Sequence, residues 1–81
     1  MEIKVLGPGC NNCKRTKVVV DEAIKEMKLD VTAIEVHDIA AIMAYGILST
    51  PAIVIDEKVV SVGKVPSKSQ VVEMIRKAQP A

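Results

Sequence analysis

The 81-residue sequence has no Phe and no Trp, and Tyr45 is its one aromatic. Without aromatic faces there is no platform on which single-stranded nucleic acid stacks. Charge excludes the same partner: 11 Lys and Arg against 10 Asp and Glu leave +1, with no basic stripe for a phosphate backbone. No apolar run approaches the roughly 20 residues that a membrane-spanning helix requires. Met1 to Leu6 shows neither the apolar stretch nor the small-residue cleavage site of a secretory leader, so a cytoplasmic location is expected. One His and two Cys fall short of the about four ligands of a structural zinc site, and no metal or cofactor is expected.

What is present is an aliphatic chain with a regular rhythm. Apolar residues make up 49% of it, which is not the composition of a disordered segment. The core has to be built from Val, Ile, Leu, Met and Ala. At this length one domain spanning 1–81 is expected, with an adequate but modest core. Residues 2–6 alternate, with Ile3 and Val5 against Glu2 and Lys4, and stop at Gly7-Pro8-Gly9. The period then turns helical from Asn11 to about Lys28, with Val18, Val20, Ala23, Ile24 and Met27 expected on or beside the buried face. Val31 to Val36 alternates again, with Val31, Ala33 and Glu35 on one side. Asp38 reads as the cap of a short helix ending near Tyr45, with Gly46 as its stop. Ala52 to Ile55 is apolar throughout, as in a strand buried on both faces. Asp56-Glu57-Lys58 makes a turn into a last strand at Val59 to Val62. Ser67 and Gln70 form a capping box ahead of a final helix, and Gln79 to Ala81 reads as a frayed end. The order is β-α-β-α-β-β-α, an α/β fold with a four-stranded mixed sheet flanked by three helices.

Both cysteines fall in one place, Cys10 and Cys13, where the first strand meets the first helix. A thiol at a helix start faces unsatisfied backbone N–H groups and the positive end of the helix dipole, which favour thiolate. The Cys-x-x-Cys spacing typically lowers a cysteine pKa by one to several units, and thiolate is the attacking species. Cys10, ahead of the helix, is the expected nucleophile. Cys13, one turn in and more buried, is the expected resolving thiol. Asn11 and Asn12 stand between them and are candidates to offer amides to sulfur. In a reducing compartment such a pair is catalytic or metal-binding more often than a structural staple.

Strand, Cys-x-x-Cys at a helix start, strand, helix, Ser49-Thr50-Pro51-Ala52, strand pair and helix together resemble the thioredoxin and glutaredoxin superfamily. The likeness is nearest to its small archaeal and bacterial redox-active disulfide proteins, and it covers essentially the whole chain. The resemblance implies a thioredoxin-like fold and a thiol–disulfide oxidoreductase that reduces protein disulfides through Cys10 and Cys13. It implies an active-site loop of Pro8, Gly9, Asn11 and Asn12. It makes Thr50-Pro51 the cis-proline loop, Pro51 lying against the cysteine pair and Thr50 pairing with an extended substrate segment. Its expected partners are disulfide-containing proteins and a reductase, a flavoprotein by family expectation, acting on a monomer. The chain also departs from the pattern. Gly9 stands where thioredoxins place Trp, Asn11-Asn12 replaces Gly-Pro, and the buried acid near the pair is not identifiable. The Gly-Gly-x-x-Asp stretch with which glutaredoxins hold glutathione is reduced to Val62-Gly63-Lys64.

The competing reading is a Cu(I) or heavy-metal carrier, since two thiolates bind soft ions and ferredoxin-like metallochaperones also present Cys-x-x-Cys between a strand and a helix. Their order, β-α-β-β-α-β, ends on a strand, and they have no counterpart of Thr50-Pro51. An unreactive thioredoxin-like interaction domain is the third reading. His37 at a strand exit is expected to be solvated or capping, Tyr45 to pack at a helix end, and Met27 and Met74 to fill core.

Overall fold

The computed structural model describes residues 1–79. Its elements are β1 (Ile3–Leu6), α1 (Asn11–Glu26), β2 (Ala33–Val36), α2 (Ile39–Met43), β3 (Ala52–Ile55), β4 (Lys58–Val62) and α3 (Lys68–Ala78). The strands lie in the order β2-β1-β3-β4. β1 pairs with β2 in parallel and with β3 antiparallel, and β3 pairs with β4 antiparallel. The two inner strands are the most buried ones, and all four residues of β3 are buried. Because side chains alternate across a strand, Ile3, Val5, Ile53 and Ile55 face one side of the sheet. There they pack with Val20, Ala23 and Ile24 of α1 and Val71 and Ile75 of α3. Leu6, Ala52 and Val54 face the other side, where α2 supplies Ile42 and the following loop Ile47. Fully burying each such aliphatic side chain is worth about 1.5–3 kcal/mol relative to exposure.

The element ends depart from the sequence pattern for local reasons. α1 stops at Glu26, short of Lys28, because Lys28 turns left-handed (φ 55°). Leu29 N–H then donates to Ile24 O and Lys28 N–H to Lys25 O, each at 3.1 Å, the paired bonds of a Schellman cap. The buried face of α1 is Cys13, Thr16, Val20, Ala23 and Ile24, and Val18 is 55% exposed. Thr16 lies one turn beyond Cys13 on the buried side, so Val18, two residues further on, points away from the sheet; the Thr16 hydroxyl donates to Asn12 O at 2.8 Å. β2 starts at Ala33, not Val31, because its ladder begins where β1 begins, Ile3 opposite Ala33. α2 ends at Met43, and Gly46 (φ 76°) follows a tightened turn in which Tyr45 N–H reaches Ile42 O. β4 starts one residue early, at Lys58, because Asp56 and Glu57 alone make the turn, both at positive φ. Asp56 is held there by two bonds to Glu2, one from its own N–H and one to its carboxylate. Ser67 and Gln70 form the reciprocal capping box. Of the expected frayed end, Gln79 is instead the C-cap of α3, its N–H donating to Ile75 O at 3.1 Å, and residues 80 and 81 lie outside the described residues.

On the α2 side, Lys4 donates to Glu57 at 2.7 Å and to Tyr45 at 2.9 Å. The hydrogen bond to Glu57 raises the Lys4 ammonium well above its usual range, and the same bond lowers the Glu57 carboxyl from 4.5. A lowered carboxyl stabilises the fold above its unfolded pKa and loses that contribution as pH falls through the folded value. Lys4→Met should therefore be less stable than the parent chain at neutral pH by a small margin, the pair being solvent-exposed. In urea titrations across pH the margin should persist down to about 4.5 and close below it. A margin unchanged in acid would separate Lys4 from Glu57.

Candidate active site

β1 ends at the buried Leu6, the buried Gly7 follows, and the chain then surfaces at Pro8 and Gly9 before α1 begins. Gly9 uses its lack of a side chain to take φ 101°. Cys10 is the N-cap of α1, with extended backbone (φ −68°, ψ 166°), and is exposed. Cys13, three residues on, is 6% exposed. The two are joined as a disulfide with their Cα atoms 5.0 Å apart. The cap bond is made by sulfur: Cys13 N–H donates to Cys10 Sγ at 3.2 Å. That donor, the helix start and the absence of any acidic residue in the first turn all favour negative charge on Cys10. The donor is backbone, not the amides of Asn11 and Asn12, which the sequence offered; both residues are exposed in the first turn of α1.

Burial of Cys13 depends on a residue the sequence analysis treated only as a breaker. A Cβ on Gly7 would overlap Cys13 Sγ and stand 2.9 Å from its Cβ. Gly7 N–H donates to Val36 O at 2.9 Å, so its backbone is fixed and cannot retreat. The signal for Gly7 lay in its position at the strand end, where close approach of backbone to a neighbour demands glycine.

Thr50 and Pro51 come to the same end of the sheet. Leu6 pairs with Ala52, which sets Pro51 across from Gly7. The Thr50–Pro51 bond is cis, and Pro51 is buried. Its carbonyl accepts from Gly63 N–H at 2.8 Å, which ties the loop to the end of β4. Thr50 and Pro8 are walls of one apolar groove of about 270 Å³, lined also by Ile39, Ile42, Met43, Ile47, Leu48 and Ser49. Leu48 is 96% exposed and Met43 61%.

A second, smaller cleft of about 160 Å³ opens on Cys13 from the β2 side and includes Glu35 and His37. Glu35 lies beside Val5 in the ladder, on the face that carries Ala33. The alternation of β2 already placed Glu35 there, but its link to the cysteines needed the sheet order. Among the described residues no group of three or more His, Cys, Asp or Glu gathers as a metal site, and no helix is long and apolar enough to cross a membrane.

Comparison with known proteins bears on this arrangement. Residues 1–76 match a family described as Thioredoxin domain. A thioredoxin of Methanocaldococcus jannaschii is 30% identical over 74 residues, covering 91% of this chain and 85% of the relative. A thioredoxin of Methanothermobacter thermautotrophicus is 27% identical over 75 residues, covering 93% and 97%.

Gly7→Ala should destabilise the oxidised protein by about 1–3 kcal/mol, the usual cost of forcing a carbon into a packed site. Urea unfolding of the oxidised form reads this directly. An unchanged midpoint would mean that Cys13 moves aside freely.

Proposed function

This chain belongs to the thioredoxin domain family and is a thiol–disulfide oxidoreductase, and on that premise we propose that it reduces protein disulfides through a Cys10–Cys13 dithiol cycle. The supporting observation is the asymmetry of the pair. One sulfur is exposed and receives a helix-start N–H, while the other is buried one turn further along. Cys10 thiolate attacks one sulfur of a substrate disulfide, whose S–S bond breaks and releases a first substrate thiol. Cys13 thiolate then attacks Cys10 Sγ, the mixed disulfide breaks, and the second substrate thiol leaves. The substrate has gained two electrons and two protons, and the protein keeps the Cys10–Cys13 bond seen here. A reductase, in our reading a flavoprotein, returns both electrons.

The substrate enters, in this reading, as an extended segment alongside Thr50, a form of strand addition. The groove from Pro8 to Leu48 supports this, because it borders the Cys10 loop and its walls bear no charge. Pro8, Gly9, Asn11 and Asn12 keep Cys10 at the surface, and Pro51 closes the loop from the opposite strand. The protein works as a monomer, since every group the cycle uses comes from one chain. A cytoplasmic location is part of the same proposal, because a reducing compartment keeps such a pair supplied with electrons.

Cys10→Ser should abolish reduction of a model disulfide protein such as insulin. Cys13→Ser should instead accumulate a covalent mixed disulfide, visible by non-reducing electrophoresis and mass. In graded thiol–disulfide buffers with metal chelated away, the pair should titrate reversibly as a two-electron couple between roughly −120 and −270 mV. If no reversible couple appears and Cu(I) is held tightly instead, the fold serves metal carriage and the cycle is wrong.

A further inference from the structure

Release of the second thiol requires that Cys13 lose its proton, yet Cys13 is 6% exposed. Burial in apolar surroundings favours the neutral thiol, so the step needs an acceptor close by. The wall of Cys13 that faces β2 opens on the cleft of about 160 Å³. Three ionisable side chains line it: Lys14 from α1, Glu35 from β2, and His37 just beyond the end of β2. Val5 of β1 and the loop residues Gly7 and Gly9, which complete the lining, add none. A lysine ammonium carries donors and no acceptor. His37 Nε2 lies 3.1 Å from Glu35 Oε2. The bond from Gly7 N–H to Val36 O pins this end of β2 to the cysteine loop.

We propose that His37 is the base that takes the Cys13 proton, with Glu35 as its positioning residue. The assignment rests on the dithiol cycle above. Neutral imidazole donates Nε2–H to the Glu35 carboxylate, which leaves Nδ1 with its lone pair free. Imidazole is the side chain that exchanges protons most readily near neutral pH. The cleft of about 160 Å³ is well above the roughly 10–15 Å³ that one water needs, so a water fits within it and can relay the proton. In the mixed-disulfide state the Cys13 proton passes to Nδ1, and Glu35 stabilises the imidazolium. Cys13 thiolate attacks Cys10 Sγ, the bond from Cys10 to the substrate sulfur breaks, and the electron pair leaves on that sulfur. The imidazolium then returns the proton to the departing thiolate, so His37 ends each turnover neutral.

The test follows the second step alone. Reduced protein in excess is mixed rapidly with 5,5′-dithiobis(2-nitrobenzoate). The first thionitrobenzoate release is bimolecular, and the second, concentration-independent release is the attack by Cys13. His37→Gln should slow the second release at least about tenfold at pH 7, a modest general-base effect. The loss should vanish by about pH 10, where a thiol ionises without help. Free imidazole should accelerate the variant at pH 7 and leave the parent chain unchanged. Glu35→Gln should slow the same phase over the same pH range, by less. A His37→Gln protein as fast as the parent at pH 7, or slow by the same factor through pH 10, overturns the assignment. An unaffected Glu35→Gln protein overturns the positioning role. If the parent chain shows no second release that Cys13→Ser removes, the dithiol cycle itself fails. A normal parent with an unaffected His37→Gln variant sinks only the base.

Discussion

The contact on which the rest of this structure depends is the packing of Cys13 against the bare backbone of Gly7. It holds one sulfur inside while the other caps the helix at the surface. Each partner is fixed from a different direction. Gly7 is tied to β2 through Val36 O, and Cys13 is set by the first turn of α1, whose buried face runs on through Thr16 and Val20 into the main core. The unequal exposure of two identical side chains is thus a consequence of sheet and helix packing. In the dithiol cycle proposed above, that inequality lets one thiol meet substrate while the other waits.

The sheet is arranged to bring three loops to one end. β1 leads to Gly7 and the cysteines, β2 to His37, and the residues before β3 to Thr50 and Pro51. Parallel pairing of β1 with β2 puts both of their C-terminal ends on that side, and antiparallel pairing with β3 brings the start of β3 there as well. Ligands in open α/β sheets bind outside the carboxyl ends of strands for this same topological reason. The groove along α2 and the cleft beside β2 both border the cysteine loop. Each is shaped by a different neighbour of β1.

Much of the site was legible because its determinants are local. Cys10 at the cap, Cys13 one turn on, and the Ser67–Gln70 box are set by helix geometry, which sequence spacing encodes directly. The element order followed from the switch between a period of two and a helical period. What was not legible involved partners distant in the chain. Thr16 and Val18 point to opposite sides of α1, and only packing against the sheet decides that the threonine side is buried and the valine side exposed. Lys28 and Glu57 adopt left-handed conformations that their residue types do not announce.

The sequence by itself determined the chemistry and the class of fold: two thiols at a helix start, an aliphatic core, and strands and helices in a thioredoxin-like order. Tertiary structure decided which groups surround those thiols. Gly7 became indispensable only when Cys13 was laid on it, and Glu35 and His37 came beside Cys13 only through the pairing of β2 with β1. The physical reason is range. Capping and periodicity act over three or four residues and can be read along the chain. Burial and cleft formation join residues across elements, from six positions apart for Gly7 and Cys13 to more than twenty for Cys13 and His37, and no local pattern records which of them will meet.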